Sequence, residues 1–144
     1  AIESPLTFDL ALATEKSLEN PVYYVQYGHT RIAGVLRNAD DADVRAAHAG
    51  EGLASLTHPA ELALARRIAE LPKVALGVAA QEAPHRLTRY ARALASDFHS
   101  FYGECRVLVE DREVRLGRLA LCNATKIVLA RVLYLLGVTA PETM

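Results

Sequence analysis

The fold of this chain is decided by the stretch Asn20-Pro21-Val22-Tyr23-Tyr24-Val25-Gln26-Tyr27-Gly28-His29-Thr30-Arg31. Asparagine followed by proline is typical of a helix start, because the amide oxygen accepts hydrogen bonds from free backbone N–H groups and the proline ring already holds a helical φ. We therefore predict a helix from this point to about Arg37. It should stop in the following sequence, Asn38-Ala39-Asp40-Asp41.

Most of the sequence after this helix also has helical patterns. Thr57 and Pro59 open a second predicted helix that ends before Pro72, and residues 73–82 form a short third one. The apolar face of the second helix is predicted to contain Leu62, Ala65, Ile68 and Ala69. Residues 40–57, with three Asp and two Gly, are predicted to form a variable loop or a short helix.

The helix that Pro84 opens has two different faces. Its apolar stripe recurs at steps of three and four residues, which predicts packing against a core. The stripe consists of Leu87, Tyr90, Leu94, Phe98, Phe101 and Cys105. A second row is basic wherever it is charged, and consists of His85, Arg89, Arg92, Ser96, His99, Gly103 and Arg106. Such a helix can pack on one side and offer donors for phosphate on the other.

The last predicted helix runs from about Glu113 to Leu136 and is apolar nearly all round, as a central buried helix is. Gly137 supplies its stop, and Pro141 prevents it from resuming. The two cysteines, Cys105 and Cys122, lack a C-x-x-C spacing. We expect them to be small buried hydrophobic residues in a reducing compartment. These patterns together predict an all-α bundle of five or six helices.

The N-terminal segment has a different pattern. Residues 7–12 alternate apolar and polar side chains, as a strand does. We expect residues 1–19 to be the strand-like end of an upstream domain and its connector, with the helical domain spanning residues 20–144. Because the chain begins with alanine and has its single methionine at the end, we also expect a fragment whose C-terminus is the natural one.

Composition and charge indicate one globular domain. The chain has 144 residues, of which 51% are hydrophobic and 23% charged, values that suit a buried core. No apolar run approaches the roughly 20 residues that span a bilayer. The net charge is −1, yet residues 84–131 hold nine Lys or Arg against five Asp or Glu. Because charges act over a Debye length of about 10 Å, this half could bind phosphate, or it could be an ordinary solvated face.

Sequence motifs for catalysis or metal binding are not found. The chain has no G-x-G-x-x-G, G-x-x-x-x-G-K-[ST], G-x-S-x-G or H-E-x-x-H pattern. The five histidines have no close metal-ligand spacing. His99 and Cys105 lie six residues apart, so a helix would point them to different faces. We predict that this chain has no catalytic residue, no metal site and no cofactor of its own.

Binding residues are better supported by the sequence. Single-stranded RNA is recognised by stacking its bases on aromatic rings and guanidinium planes, with polar side chains reading the base edges. Tyr27, Gln26 and Arg31 supply those parts on the first helix. Tyr24 is expected in the core, and Tyr102 could be either a core edge or a base platform. From the charge pattern we expect phosphate contacts from Arg89, Arg92 and Arg106, with Arg112 or Arg115 nearby.

Three stretches, taken together, resemble the C-terminal helical domain of bacterial-type class I arginyl-tRNA synthetases. They are the stretch quoted first, Phe98-His99-Ser100-Phe101-Tyr102, and the ending Leu136-Gly137-Val138-Thr139-Ala140-Pro141-Glu142-Thr143-Met144. The resemblance runs from about Phe8 to the last residue and implies the anticodon-binding bundle of the DALR type. The chain departs from the family at Gly28, where Ala or Thr is more usual. It also departs at Arg118-Leu119-Ala120-Leu121, which only approximates Asp-Ala-Leu-Arg.

The resemblance implies that the anticodon-loop pocket is lined by Tyr23, Gln26, Tyr27, Tyr102 and Met144. Adding the residues found above gives the predicted tRNA-binding set: Tyr23, Gln26, Tyr27, Arg31, Arg89, Arg92, His99, Tyr102, Arg106 and Met144. The expected partners are the anticodon stem-loop of tRNA(Arg) and the chain's own upstream catalytic domain, with no membrane. The parent enzyme, expected to be a cytoplasmic monomer, would use ATP with Mg²⁺ to attach arginine to the tRNA.

Two alternatives stay open at this point. The chain could be the corresponding domain of another class I synthetase, such as the cysteinyl enzyme. It could also be a helical protein-interaction module whose aromatic face meets another protein. Salt dependence separates RNA binding from protein binding, because phosphate contacts make affinity fall steeply with salt.

Overall fold

The computed structural model describes residues 9–144, and these are helical for most of their length. The helices are α1 Leu10–Thr14, α2 Pro21–Arg37, α3 Asp41–His48, α4 Pro59–Ala69, α5 Leu71–Gln81, α6 His85–Glu104 and α7 Arg112–Leu135, with a 3-10 turn at Leu53–Ser55. The predicted all-α fold class is confirmed. The Asn20 side chain caps α2 by accepting from the backbone N–H groups of Val22 and Tyr23, as the sequence predicts.

The bundle is built around α6 and α7. Helix α7 packs against α2, α3, α4, α6 and the 3-10 turn, while α6 also packs against α2, α4 and α5. Phe98 and Phe101 of α6 are fully buried, which confirms their predicted place in the core. Cys105 and Cys122 are buried free thiols in the same core, as expected.

Helix α7 is central, but it is not buried all round. Ile127, Tyr134 and Leu135 are exposed on the outer side of its C-terminal half. The helix ends at Leu135, and Gly137, two residues later, has a φ of 72° in the left-handed region. There the Val138 N–H donates to the Leu133 carbonyl and closes the helix end, as a C-terminal glycine allows.

The strand predicted for residues 7–12 is wrong for the part that the structure describes. Leu10–Thr14 is a short helix, and Asp9 caps it by accepting from the Leu12 N–H. Six alternating residues cannot by themselves distinguish a strand from a capped helical turn. Residues 7 and 8 of that prediction lie outside the described residues.

The segment predicted as a loop or short helix is α3 followed by the 3-10 turn. The backbone of the turn packs directly against the backbone of α7. A Cβ at Gly52 would therefore lie only 2.5 Å from the backbone N of Gly117 and 2.5 Å from the carbonyl oxygen of Glu113. Gly52 also has a φ of 76°. Only glycine fits such a position, so this approach fixes the loop on α7.

Buried charges join α3 and α4 to α7. Glu61 is 1% exposed, and its carboxylate accepts from the Arg118 guanidinium at 2.7 Å and from the backbone N–H groups of Thr57 and His58 at 2.9 Å. Burial alone would raise the pKa of Glu61, but these hydrogen bonds lower it overall. Asp43 binds Arg115 at 2.7 Å and Arg112 at 3.2 Å in the same manner.

The buried Glu61 corrects the predicted face of α4. The buried side chains of this helix are Glu61 and Leu64, whereas Leu62 is 37% exposed. The prediction is confirmed for Ala65 and Ile68, which pack against the core. It is wrong for Leu62 and Ala69, which are exposed, because a hydrophobic pattern assigns a glutamate to solvent. Capping of α4 by His58 and Glu61, together with the Arg118 ion pair, allows the glutamate to be buried.

Candidate nucleic-acid interface

Helices α2 and α6 pack closely where Gly28 faces α6. A Cβ at Gly28 would lie 3.7 Å from the Ala95 Cβ and 3.8 Å from the His99 Nε2 atom. These are ordinary van der Waals distances, so an alanine would fit here and the approach of the two helices does not require glycine. The side chains on either side of this contact form the aromatic cluster described next.

The aromatic cluster is centred on His99. Its ring lies 4.9 Å from the Tyr24 ring, 5.8 Å from the Tyr27 ring and 5.6 Å from the Phe98 ring, centroid to centroid. Burial lowers the pKa of His99, and the charge of Arg31 lowers it further. His99 is therefore neutral near pH 7 and adds no cation to the basic row of α6. Its ring instead packs against the rings of Tyr24 and Tyr27.

Arg31 completes one open pocket. Its guanidinium carbon lies 4.3 Å from the centroid of the Tyr102 ring and 5.6 Å from that of Tyr27. The pocket has a volume of about 630 Å³ and also takes in Thr30 and Arg106. Two aromatic rings, a planar cation and a second arginine thus face one concave surface, which we name the Arg31 pocket.

The C-terminal tail lies along α2 and is held there by side chains. Gln26 donates to the Thr139 carbonyl at 2.9 Å. The Pro141 carbonyl accepts from Thr30 Oγ1 at 2.9 Å and from His29 Nδ1 at 2.8 Å, so that ring nitrogen carries the hydrogen. His29 is 2% exposed, which makes this a shielded anchor.

Two further contacts fix the last residues of the tail. Arg37 donates to the Glu142 carbonyl at 3.0 Å, and Lys126 lies 2.8 Å from the Glu142 carboxylate. The hydrogen bond from Lys126 lowers the pKa of Glu142. The tail is therefore ordered up to its final residues, and Met144 is 53% exposed at the end of it.

Met144 forms one wall of a second, smaller pocket. This pocket has a volume of about 380 Å³, and its other walls come from α2 and from the connector that precedes it. Its lining includes Tyr23, Gln26, Asn20 and residues 13–16. We name it the Tyr23 pocket. The rings of Tyr23 and Tyr27 are parallel within 7° at 6.5 Å, and each ring lines one of the two pockets.

The predicted basic row of α6 is divided by the fold. His85, Arg89, Arg92 and Ser96 line an open groove that Tyr24 also borders. His99 is covered by the tyrosines of α2, and Arg106 belongs to the Arg31 pocket. The structure thus brings the predicted residues to three adjoining places: Tyr27, Arg31, Tyr102 and Arg106; Tyr23, Gln26 and Met144; and Arg89 with Arg92.

Part of the positive charge in residues 84–131 is used inside the protein. Arg112 and Arg115 pair with Asp43, Arg118 pairs with Glu61, and Lys126 pairs with Glu142. Arg115 is held against α3, whereas Arg112 keeps 52% of its side chain exposed beside Asp43. The expected phosphate contact from either residue stays a prediction. The charge that stays exposed in this half includes Arg86, Arg89, Arg92 and Arg106.

The residues that hold the tail were not predicted from the sequence. His29, Thr30 and Arg37 follow Gln26 at three-, four- and eleven-residue steps on one side of α2. A polar row on a helix ordinarily faces solvent, so nothing in the sequence indicates that the chain end lies against it.

Metal-ligating side chains and cysteine thiols are the other groups that could carry chemistry. In residues 9–144, no group of three or more His, Cys, Asp or Glu side chains is arranged to hold a metal ion. Burial raises the pKa of Cys122 to about 12 and also raises that of Cys105, so both thiols are protonated near neutral pH. Over the same described range, no helix is long and apolar enough to cross a membrane.

Comparison with known proteins gives consistent matches. A family model described as "DALR anticodon binding domain" matches residues 25–144. The chain is 54% identical over 143 residues to an arginine–tRNA ligase of Moorella thermoacetica, covering 99% of this chain and 26% of that protein. It is 50% identical over 147 residues to the arginine–tRNA ligase of Heliobacterium modesticaldum, again covering 99% of the chain and 26% of the relative.

A solved structure is similar as well. The arginyl-tRNA synthetase of Thermus thermophilus matches with a TM-score of 0.77 and 32% sequence identity, over 89% of this chain and 22% of that one. The chain thus spans about a quarter of the length of the curated relatives it matches.

Proposed function

Since the chain belongs to the DALR anticodon-binding domains of arginyl-tRNA synthetases, we propose that it binds the anticodon stem-loop of tRNA(Arg). The predicted resemblance to this family is confirmed. The relatives named above are arginine–tRNA ligases, so the alternative of a cysteinyl-type domain is set aside.

The observation that carries the proposal is the Arg31 pocket. Arg31 lies across the Tyr102 ring and beside the Tyr27 ring, and all three face open space. An unpaired base can stack on such a surface, whereas a base inside a duplex cannot reach it. Thr30 and Arg106 at the rim supply hydrogen-bonding groups for a base edge or a phosphate. We assign this pocket to one base of the anticodon loop.

The Tyr23 pocket is the candidate for a neighbouring base. Tyr23 offers a ring face, Met144 a flexible and polarisable thioether, and Gln26 an amide whose carbonyl oxygen is left to accept. The tail contacts hold Met144 near this pocket before any ligand arrives. An ordered tail loses less conformational entropy on binding than a free one, which favours affinity.

Arg89 and Arg92 are proposed to contact phosphates. Both are exposed on α6, and the groove that they line borders Tyr24. Phosphate contacts of this kind add affinity without reading sequence and weaken as salt rises. Base recognition would then come from the two pockets.

The parent protein is proposed to be a cytoplasmic, monomeric enzyme that attaches arginine to tRNA with ATP and Mg²⁺. This domain would contribute RNA binding to that reaction, and its upstream catalytic domain would bind ATP and arginine. The relatives that the chain matches carry the name of this activity, and the chain corresponds to about a quarter of their length.

The proposal is tested by titrating the 144-residue chain into fluorescently labelled RNA. One RNA is the tRNA(Arg) stem-loop, and the other has the same stem with a replaced loop. We expect tighter binding to the first by about 5- to 150-fold, since each stacked base contributes about 1–3 kcal/mol. Arg31→Ala should remove most of this preference, whereas Arg45→Ala, an exposed arginine on α3, should not.

Two outcomes would contradict the proposal. Equal affinity for both RNAs would mean that the pockets read no base. Failure to bind either RNA, even at low salt, would instead favour the helical protein-interaction module.

A further inference from the structure

A second basic surface lies between α5 and α6, on the side of α6 that turns away from the Arg31 pocket. It is a cavity of about 540 Å³ whose cations include Lys73 from α5 and Arg86 and Arg89 from α6. Through Arg89 and Ala93 it is continuous with the groove of about 760 Å³ that holds Arg92. We name this combined surface the α5–α6 groove.

The charge of the groove is not neutralised by the protein. Its lining contains five Lys or Arg side chains and one carboxylate, Glu70, which pairs with Arg67 at 2.8 Å. Over residues 9–144, Lys73, Arg86, Arg89 and Arg92 form no ion pair, and all four are exposed. By contrast, Arg115 and Arg118 are paired with carboxylates and lie partly buried against α3 and α4.

Gly77 contributes to the shape of this groove. A Cβ at Gly77 would lie 3.3 Å from the Arg86 Nη1 atom, so the guanidinium lies close against the α5 backbone. An alanine at this place would require the flexible Arg86 side chain to shift by a few tenths of an ångström. A cation from α6 thus lies directly over α5, on the surface that Lys73 also lines.

The groove is connected to the proposed base-binding pockets. Tyr24 borders the groove and touches His99, which in turn supports Tyr27 at the edge of the Arg31 pocket. Sixteen residues of α6 separate Arg86 from Tyr102, or about 24 Å along the helix axis. That distance corresponds to roughly seven nucleotides at about 3.4 Å per nucleotide of one strand.

From this arrangement we propose that the α5–α6 groove binds the phosphodiester backbone of the base-paired RNA stem, with Lys73 and Arg86 as contacts beyond Arg89 and Arg92. The inference rests on the proposed function, and it takes the stem to run along α6 from loop bases that occupy the pockets. The contacts are to phosphate, so they supply affinity for any stem sequence. Recognition of the loop stays with the pockets.

The test compares two double variants of the 144-residue chain. Lys73→Ala with Arg86→Ala removes two groove cations, and Arg45→Ala with Arg131→Ala removes two exposed cations from α3 and α7 as a matched control. The RNAs are the tRNA(Arg) stem-loop, the same loop on a stem of different base-paired sequence, and the loop nucleotides as an unpaired strand. Affinity is measured from about 0.05 to 0.3 M salt.

We expect the groove variant to bind both hairpins about tenfold more weakly near 0.1 M salt. The slope of log affinity against log salt should become shallower by about 2, one for each lost phosphate contact. Affinity for the unpaired strand and the preference for the correct loop should stay unchanged. The control variant should bind all three RNAs within about twofold of the unmodified chain, and all variants should melt at similar temperatures.

Several results would overturn the proposal. These are an unchanged salt slope, an equal loss in the control variant, an equal loss with the unpaired strand, or a loss that depends on the stem sequence. Displacement of the hairpin by a poly-glutamate peptide at equal charge concentration would assign the groove to an acidic protein partner. A failure of the proposed function would look different. The preference for the correct loop would be missing, while the salt slope would not change.

Discussion

Two regions of the bundle use charged and aromatic side chains in opposite ways. Where α3 and α4 meet α7, carboxylates are buried and each has an arginine partner, as Glu61 has Arg118. Where α2 meets α6 and the tail, arginines and tyrosines face open pockets, as Arg31 and Tyr102 do. The first region uses its polar groups to join helices, and the second leaves them available to a ligand.

This difference separates stability from binding. A buried ion pair leaves an uncompensated charge when one partner is removed, so its variants are expected to unfold easily. Removing a half-exposed ring that borders an open pocket should cost little folding free energy in the absence of a ligand. Variants in the first region should therefore cost more folding free energy than variants in the second.

The largest cost is expected for Phe98→Ala. Phe98 is fully buried and supports the rings of His99 and Tyr102 at 5.6 and 5.8 Å. Its removal should lower the free energy of unfolding by about 3–5 kcal/mol, as the loss of a buried aromatic does. Chemical denaturation measures this value, and a loss below about 1 kcal/mol would mean that the ring is not a core residue.

Arg118→Ala should cost about 3 kcal/mol, because it leaves the Glu61 carboxylate buried without its arginine. The pKa of Glu61 in the folded state is lowered below its usual 4.5. Its contribution to stability is therefore present above about pH 4.5 and is lost as the pH falls through the folded value. Denaturation between pH 7 and pH 3 should show a smaller loss in the variant than in the unmodified chain. Parallel pH curves would contradict this role.

Deleting Glu142-Thr143-Met144 should cost about 1 kcal/mol or less. It removes the contacts of Glu142 with Arg37 and Lys126 but keeps the Pro141 anchor on His29 and Thr30. Affinity for the tRNA(Arg) stem-loop should fall, and it should fall less for an RNA with a changed loop. Lys126→Ala, which frees Glu142 but keeps Met144, is the control. Equal losses for both RNAs would restrict the tail to backbone contacts.

Arg89→Glu with Arg92→Glu should change the free energy of unfolding by less than about 0.5 kcal/mol, since both side chains are exposed. Binding of tRNA should weaken at low salt, and the loss should shrink as salt screens the charges. Arg45→Glu with Arg131→Glu is the matched control on other surfaces. Affinity that stays the same at low salt would move the RNA-binding face elsewhere.

Local signals in the sequence were enough to predict the long helices α2, α6 and α7. The Asn20-Pro21 cap, the stripe that includes Phe98 and the stop at Gly137 each depend on a few neighbouring residues. What could not be predicted depends on distant partners. Nothing near Glu61 in the sequence indicates that Arg118, 57 residues further on, makes its burial favourable.

The same reason limits prediction of the site. The motif stretches supplied Tyr27, Tyr102 and Met144, but the contact between Arg31 and Tyr102 joins two helices and is visible only in the fold. Charge counting gave the basic half correctly, yet it could not show that Arg112, Arg115 and Arg118 are used internally. Lys73 lies in the acidic half of the chain and reaches the basic surface only because α5 packs on α6.

The most direct test of the account is to measure folding and RNA binding together for Tyr27→Ala, with Phe98→Ala as its counterpart in the core. We predict that Tyr27→Ala loses about 1 kcal/mol or less of unfolding free energy while its affinity for the tRNA(Arg) stem-loop falls by about 5- to 150-fold. The loss should disappear when the loop sequence is replaced. A Tyr27→Ala chain that binds normally, or one that unfolds while Phe98→Ala stays stable, would contradict the separation of the two regions.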